Sequence, residues 1–170
     1  MTRRDQIVKW LTYALGLLPV WVLDAYILNR FPLRGVSPTL LPLAVVAVAV
    51  LEGAFAGAGF GLGVGLLWAL GYPGMGGSAV LLLVLVGLVC GSVTQYMLTQ
   101  SFFGCLICSV GALAAQECAR LLWAMFIQLA PLSVLLEVAV SEFLWTLAWT
   151  PLVYLIFRLV FRRVGLNKLA

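Results

Sequence analysis

The chain has 170 residues, of which 64% are hydrophobic and only 9% are charged, against about a quarter in ordinary soluble domains. A soluble fold of this length needs more polar side chains to cover its surface, so the composition excludes a soluble globular protein and indicates an integral membrane protein. The net charge is +4, but most basic residues lie at the two chain ends, a pattern typical of membrane anchoring and not of nucleic-acid binding.

The length of the chain bounds the number of membrane crossings. A transmembrane helix needs about 20 apolar residues, so there is room for roughly six spans with short loops. No segment is polar enough to form a separate soluble domain. We therefore expect an all-α fold, a polytopic transmembrane helical bundle, forming a single membrane domain over residues 1–170.

The first predicted span covers about Ile7–Leu28 and carries aromatic residues near its ends, where amphipathic rings suit the membrane interface. It is too long for the apolar region of a cleaved signal peptide, so we expect it to be retained. The segment Asn29–Pro38, which contains prolines and a glycine, predicts a loop.

The next apolar stretch, Thr39–Gly71, holds a single charged residue, Glu52. One helix of that length would overshoot a hydrocarbon core of about 30 Å. Glu52-Gly53 therefore predicts a break between a short span over Thr39–Leu51 and a third span over Ala54–Leu70. The short span is expected to be tilted in a thinned region of the bilayer, or to enter from a partly buried loop.

The third predicted span is rich in glycine, and several of its glycines are four residues apart. Another helix backbone can approach closely where side chains are absent. Two explanations stay open, packing between helices of this chain and docking of a helix from another protein. The candidate partner-binding residues on this helix are Gly57, Gly59, Gly61, Gly63 and Gly65.

The segment Gly71–Gly77 predicts a turn, and it lacks the lysine and hydroxyl residue that end a phosphate-binding loop. Two further spans are predicted over about Ser78–Met97 and Phe102–Ile127. The more polar stretch Gln128–Glu142 predicts an interfacial helix or the beginning of a sixth span, which continues to about Val160.

The distribution of basic residues predicts the orientation. Both chain ends are basic, so both termini are expected in the cytoplasm, which requires an even number of spans. Arg30 and Arg34 argue weakly against this orientation, because it places their loop outside.

The chain contains no histidine, which excludes catalytic triads and the HExxH zinc site. No paired carboxylates and no nucleophile with a base are evident either, so we expect no enzyme activity, no cofactor and no metal. The four cysteines lie in predicted spans, where buried structural thiols are favoured over redox or metal chemistry, including at the CxxC spacing. They are Cys90, Cys105, Cys108 and Cys118.

Ionisable residues inside predicted spans are costly and therefore informative. Glu117 and Arg120 are three residues apart on one helix, so they can neutralise each other. Two interpretations stay open, a paired polar cluster inside the bundle and a contact to a partner or substrate. Glu137 and Glu142 are expected to meet water or lipid headgroups.

Several glycine and apolar motifs also carry a family resemblance. They are Pro38-Thr-Leu-Leu-Pro42, Gly57-Ala-Gly-Phe60, and a glycine turn followed by Gly77-Ser-Ala-Val80. Over Pro38–Gly91 the chain resembles MreD, the rod shape-determining membrane protein of bacteria, a family of similar length with six predicted spans and short basic ends. The family usually has an aspartate near the end of the glycine helix, where this chain has Leu67-Trp68-Ala69 and no acid.

The resemblance implies a non-enzymatic scaffold of the cell-elongation (rod) complex in the bacterial inner membrane. Such a scaffold binds the single-span protein MreC and connects through it to the MreB filament and to RodA with its transpeptidase. The implied fold is similar to the substrate-binding component of energy-coupling-factor transporters. That similarity supplies an alternative, a vitamin-type substrate-binding subunit, for which Tyr72 and nearby loop residues are the only candidates.

Overall fold

The computed structural model describes residues 3–30, 37–71, 76–96, 101–127 and 132–166, and within these ranges every regular element is helical. The all-helical prediction is therefore confirmed for the described part of the chain. Its α-helices, in chain order, are α1 Arg3–Val22, α2 Leu41–Glu52, α3 Ala54–Gly71, α4 Gly76–Tyr96, α5 Phe102–Phe126, α6 Leu132–Ala148 and α7 Thr150–Leu166.

Three described segments are long and apolar enough to cross a membrane, namely Ile7–Ile27, Gly77–Tyr96 and Phe102–Phe126. A fourth results if α6 and α7, which meet at an angle of 41°, form one bent span. These helices indicate a membrane protein. Six crossings require the shorter α2 and α3 to cross as well, and that number stays a prediction.

Helix α2 forms the centre of the bundle. All residues from Leu41 to Leu51 are buried, and the helix packs against α1, α3, α4, α5 and α7. A helix that is apolar on every side is covered either by lipid or by other helices, and the helices around α2 cover it here. Its twelve residues give it a length of only about 18 Å, less than the hydrocarbon core of about 30 Å, so at least one of its ends lies below a membrane interface and needs polar partners there.

The break predicted at Glu52-Gly53 is confirmed, because α2 ends at Glu52 and α3 begins at Ala54. Gly53 has a φ of 96°, a backbone conformation that favours glycine because it has no Cβ. Beyond this residue α3 folds back along α2, with Gly57 next to Ala49 and Gly61 next to Val45. The two helices therefore form an antiparallel hairpin.

Helices α3 and α4 pack backbone to backbone. Gly57 lies against the carbonyl of Gly87, Gly61 against the carbonyl of Leu83, and Gly65 against the Cα of Val80. The order of these pairs shows that the helices are antiparallel. Such an approach is possible because glycine removes the side chains that would separate the two backbones.

The predicted sixth span is divided in the structure. Helix α6 begins at Leu132, with residues 128–131 outside the described part, and α7 begins at Thr150. The break follows from Pro151, which has no N–H to donate and which disfavours a helical conformation at the residue before it. Proline is well tolerated in the first turn of a helix, so Pro151 can end α6 and also lie in the first turn of α7.

Candidate functional site

Three of the five candidate partner-binding glycines pack against another helix of the same chain. Gly57, Gly61 and Gly65 are buried against α4. A Cβ added at Gly61 would lie 2.5 Å from the carbonyl oxygen of Leu83, and one added at Gly65 would lie 2.8 Å from the Cα of Val80. These three glycines therefore serve packing between helices of this chain and not docking of a helix from another protein.

The other two glycines lie on the outer face of α3. A Cβ added at Gly59 would meet only the ring of Trp10, at 3.5 Å, and one added at Gly63 would have no neighbour within 4 Å. Both residues are exposed, and Phe55 on the same face is 95% exposed. Gly59 and Gly63 are four residues apart, the spacing that lets a second helix approach. We call this surface the outer glycine face.

The predicted pair of Glu117 and Arg120 is present and belongs to a larger cluster. Arg120 Nη1 lies 3.2 Å from Glu117 Oε1 and 2.6 Å from Glu142 Oε1. Glu142 is only 4% exposed, so the expectation that it meets water or headgroups was wrong. Its charge is tolerated at this depth because the guanidinium group neutralises it.

The same cluster binds the beginning of α2. Thr39 Oγ1 donates to Glu142 Oε1 at 3.4 Å, and the Thr39 amide donates to Thr146 Oγ1 at 3.2 Å. The amide of Leu40 donates to Asp24 Oδ1 at 2.8 Å. The first amides of a helix have no partner inside that helix, and carboxylates near this end are favoured by the helix dipole. We call the group formed by Asp24, Thr39, Glu117, Arg120, Glu142 and Thr146 the α2 cap cluster.

Sequence reasoning missed most of this cluster. Asp24, Thr39 and Glu142 lie in three separate predicted segments, and no local pattern connects residues more than a hundred positions apart, such as Thr39 and Glu142. The one available signal was the four-residue spacing of Glu142 and Thr146, which places both on the same side of α6.

A second polar group holds the other end of α2. Glu52 Oε2 forms an ion pair with Lys9 Nζ, and Glu52 Oε1 accepts a hydrogen bond of 2.8 Å from the hydroxyl of Tyr13. The Tyr13 ring is stacked on Phe157 of α7 and meets Phe60 of α3 edge-on. Helix α1 is therefore antiparallel to α2 and is attached to it at both ends.

Cys90 of α4 lies next to Cys108 of α5, where the two helices meet. Cys90, Cys105 and Cys108 are buried and Cys118 is exposed, and all four are free thiols. The expectation of buried thiols is confirmed for the first three residues and was wrong for Cys118. Within the described ranges, no group of three or more His, Cys, Asp or Glu side chains is arranged to hold a metal ion.

A long apolar groove runs between α4 and α5, with a volume of about 420 Å³. Leu85, Val89 and Ile107, which are all exposed, form its rims. The buried lining residues are Val86, Cys90, Cys108 and Ala112. We call this feature the α4–α5 groove. Its lining residues are Leu82, Leu85, Val86, Val89, Cys90, Val93, Ile107, Cys108, Gly111, Ala112 and Ala115.

Two sequence positions bear on the family resemblance. Tyr72, the candidate for a small-molecule site, lies outside the described residues. The segment Leu67–Ala69, where the resembled family has an aspartate, lies in the last part of α3, and Trp68 packs against the buried core.

Comparisons of the chain with protein-family models, with curated proteins and with solved structures found no match.

Proposed function

We propose that this protein is a non-enzymatic membrane scaffold of the bacterial cell-elongation (rod) complex, which binds an MreC-like single-span protein within the inner membrane. The proposal starts from the resemblance to MreD over Pro38–Gly91. The structural observation that carries it is the outer glycine face of α3, where Gly59 and Gly63 lie on an exposed helix surface.

The outer glycine face has the features that helix docking in a membrane requires. In lipid there is little hydrophobic driving force between helices, so association depends on close van der Waals packing. Gly63 has open space around it, and Leu62 and Leu66 on either side are exposed. A single-span helix can therefore bring its backbone close at Gly63 while its side chains pack beside the leucines.

The ionisable side chains of the described spans support a packing role. Lys9 is paired with Glu52, and Arg120 is paired with Glu117 and Glu142. The pairs Lys9–Glu52 and Arg120–Glu142 join different helices, whereas the pair Glu117–Arg120 lies within α5. Groups arranged in this way stabilise a rigid bundle, which is the property that a scaffold needs in order to present a fixed surface.

Within this proposal the protein crosses the membrane six times, with both termini in the cytoplasm, and its fold is similar to that of energy-coupling-factor substrate-binding components. Through the single-span partner it connects to the MreB filament and to RodA with its transpeptidase. The basic residues at both ends, which include Arg162 and Arg163, support this orientation because they favour the cytoplasmic face.

The test is co-purification of the single-span partner with a Gly63→Leu variant in mild detergent. We expect recovery of the partner to fall about tenfold, which corresponds to about 1.4 kcal/mol of docking free energy. Gly111→Leu is the matched control, because Gly111 also has open space but lies on α5. Gly61→Leu is unsuitable, since its side chain would strike the Leu83 carbonyl and disturb the fold.

The outcomes separate the two functional hypotheses. Unchanged recovery with Gly63→Leu, in a protein that keeps its melting temperature, would exclude the outer glycine face as the docking surface. A tightly bound small molecule in the purified protein, with no polypeptide partner, would instead favour the vitamin-binding subunit.

A further inference from the structure

The last part of α7 carries three arginines that have no counter-charge among the described side chains. Arg158, Arg162 and Arg163 are exposed, α7 contains no acidic residue, and the ion pairs of the described ranges involve other residues. Together α6 and α7 are apolar enough to form one bent span that reaches Arg163. A charged side chain in a span is costly unless an opposite charge lies beside it. These arginines therefore need an anion from outside the described part of the chain.

Two of the three arginines lie on the same side of α7. Arg158 and Arg162 are four residues apart, so they follow one another along the helix at a distance of about 6 Å. Arg163 is rotated from Arg162 by about 100° around the helix axis. The planar guanidinium group binds phosphate through two parallel hydrogen bonds. Arg158 and Arg162 can therefore hold one phosphate group between them, whereas Arg163 points elsewhere.

The contacts of Arg158 indicate its depth in the membrane. Its guanidinium carbon lies 6.0 Å from the centre of the Tyr154 ring, and this ring meets Phe102 edge-on, with 5.6 Å between the ring centres. Phe102 is the first residue of α5, a helix long and apolar enough to span the membrane. Arg158 therefore lies close to the level at which a span begins, where lipid headgroups and interfacial aromatic rings are expected.

Exposed leucines continue this side of α7 towards the centre of the membrane. Leu152, Leu155 and Leu159 are exposed, and their spacing of three and four residues places them on one side of the helix. Leu155 lies one turn before Arg158 and Leu159 lies beside it. The surface is therefore apolar at the depth of the lipid chains and cationic at the level of the headgroups, which matches the two parts of an anionic phospholipid.

A carboxylate from a second copy of the chain fits this surface less well. Four of the described carboxylates already hold an ion pair or a helix amide. Glu137 is exposed, but it lies near the start of α6, at the far end of the bent α6–α7 pair from Arg162. Lipid phosphates, by contrast, surround every exposed side of a span at the headgroup level. Charge and position therefore favour a lipid.

We propose that Arg158 and Arg162 form a binding site for the phosphate group of an anionic phospholipid, whose acyl chains lie along Leu155 and Leu152. The lipid comes from the leaflet at the end of the bundle where α5 begins and α7 ends. This site is separate from the outer glycine face and does not depend on the scaffold proposal.

The test is a titration of the purified protein in mild detergent with phosphatidylglycerol, and with phosphatidylcholine of the same acyl chains, in which native mass spectrometry counts the bound lipids. We expect phosphatidylglycerol to bind more tightly. In Arg158→Gln and in Arg162→Gln its affinity should fall about fivefold, which corresponds to about 1 kcal/mol for each arginine near an anionic lipid. Arg158→Lys, which keeps the charge but loses the planar group, should recover only part of this affinity.

Arg163→Gln is the matched control, because it removes the same charge from an exposed position of the same helix. Its affinity for phosphatidylglycerol should stay within about twofold of the unmodified protein, and all variants should keep the melting temperature because the three side chains are exposed. Equal affinities for the two lipids, or equal losses in the three glutamine variants, would overturn the proposal. A polypeptide that co-purifies with the protein and is lost in Arg158→Gln, while lipid binding is unchanged, would also overturn it.

Discussion

At the scale of single residues, Glu142 joins more parts of the bundle than any other side chain of the α2 cap cluster. Its carboxylate lies 2.6 Å from Arg120 of α5 and accepts a hydrogen bond from Thr39 at the beginning of α2. Removing one member of a buried ion pair leaves the other charge without full compensation. Glu142 should therefore matter more for stability than Glu117, which lies 3.2 Å from the same guanidinium group.

We predict that Glu142→Gln lowers the melting temperature of the detergent-solubilised protein more than Glu117→Gln does. The expected loss of stability is about 1.5–3 kcal/mol, the range for a hydrogen bond to a charged group. Glu137→Gln on the same helix is the control, since Glu137 is exposed and its substitution should have little effect. Equal melting temperatures for Glu142→Gln and Glu137→Gln would show that the cluster does not stabilise the bundle.

At the scale of the elements, the α2–α3 hairpin depends on Gly53. This residue combines a φ of 96° with a tight environment, because a Cβ at this position would run into the side chain of Gln95. The contacting atoms belong to the end of the flexible, exposed Gln95 side chain, which can move aside, so the cost of an alanine here is mainly backbone strain. The hairpin holds the buried α2 in place, so strain at its turn acts on the centre of the molecule.

We predict that Gly53→Ala destabilises the protein by about 1–3 kcal/mol, the cost of holding a residue with a Cβ in a sparsely populated backbone conformation. The double variant Gly53→Ala with Gln95→Ala should recover only the part of the lost stability that comes from contact with the Gln95 side chain. Gly111→Ala should keep or raise the melting temperature, because Gly111 is helical and has open space. A melting temperature unaffected by Gly53→Ala would contradict the strained turn.

The elements also show where sequence reasoning succeeds. Helix bounds were predictable within a few residues where charges, glycines and prolines interrupt long apolar runs, as at Glu52-Gly53. The break between α6 and α7 was missed, although Thr150-Pro151 carries the local signal for a helix start.

The roles of individual residues were much less predictable than the helices. The four-residue spacing of glycines on α3 shows that helices can approach, but it does not show which face meets α4 and which stays open. That assignment depends on the rotation of α3 about its axis, which is set by packing against α2 and α4. The α2 cap cluster depends on contacts between distant segments in the same way.

At the scale of the whole molecule, the polar groups at the two ends of α2 bear on how deeply it lies in the membrane. The ion pair of Lys9 and Glu52 marks one end, and Asp24 with Leu40 marks the other. Charged groups are least costly near the interface, so the Gly53 turn is expected to reach the cytoplasmic interface. With either four or six crossings the two termini lie on the same side of the membrane, so the location of the termini does not distinguish the two numbers. The depth of the Gly53 turn does distinguish them.

We predict that Phe55→Cys, in a variant whose native cysteines are replaced by alanine, reacts with a membrane-impermeant maleimide in inside-out vesicles and not in intact cells. Phe55 is almost fully exposed and lies two residues from the turn. Gly77→Cys, at the start of α4, should show the opposite pattern, because α3 carries the chain to the other face. A Phe55→Cys variant that stays unlabelled from both sides would place the turn within the hydrocarbon core, so that α2 and α3 form a re-entrant hairpin and the chain crosses four times. Labelling of Phe55→Cys in intact cells would reverse the proposed orientation.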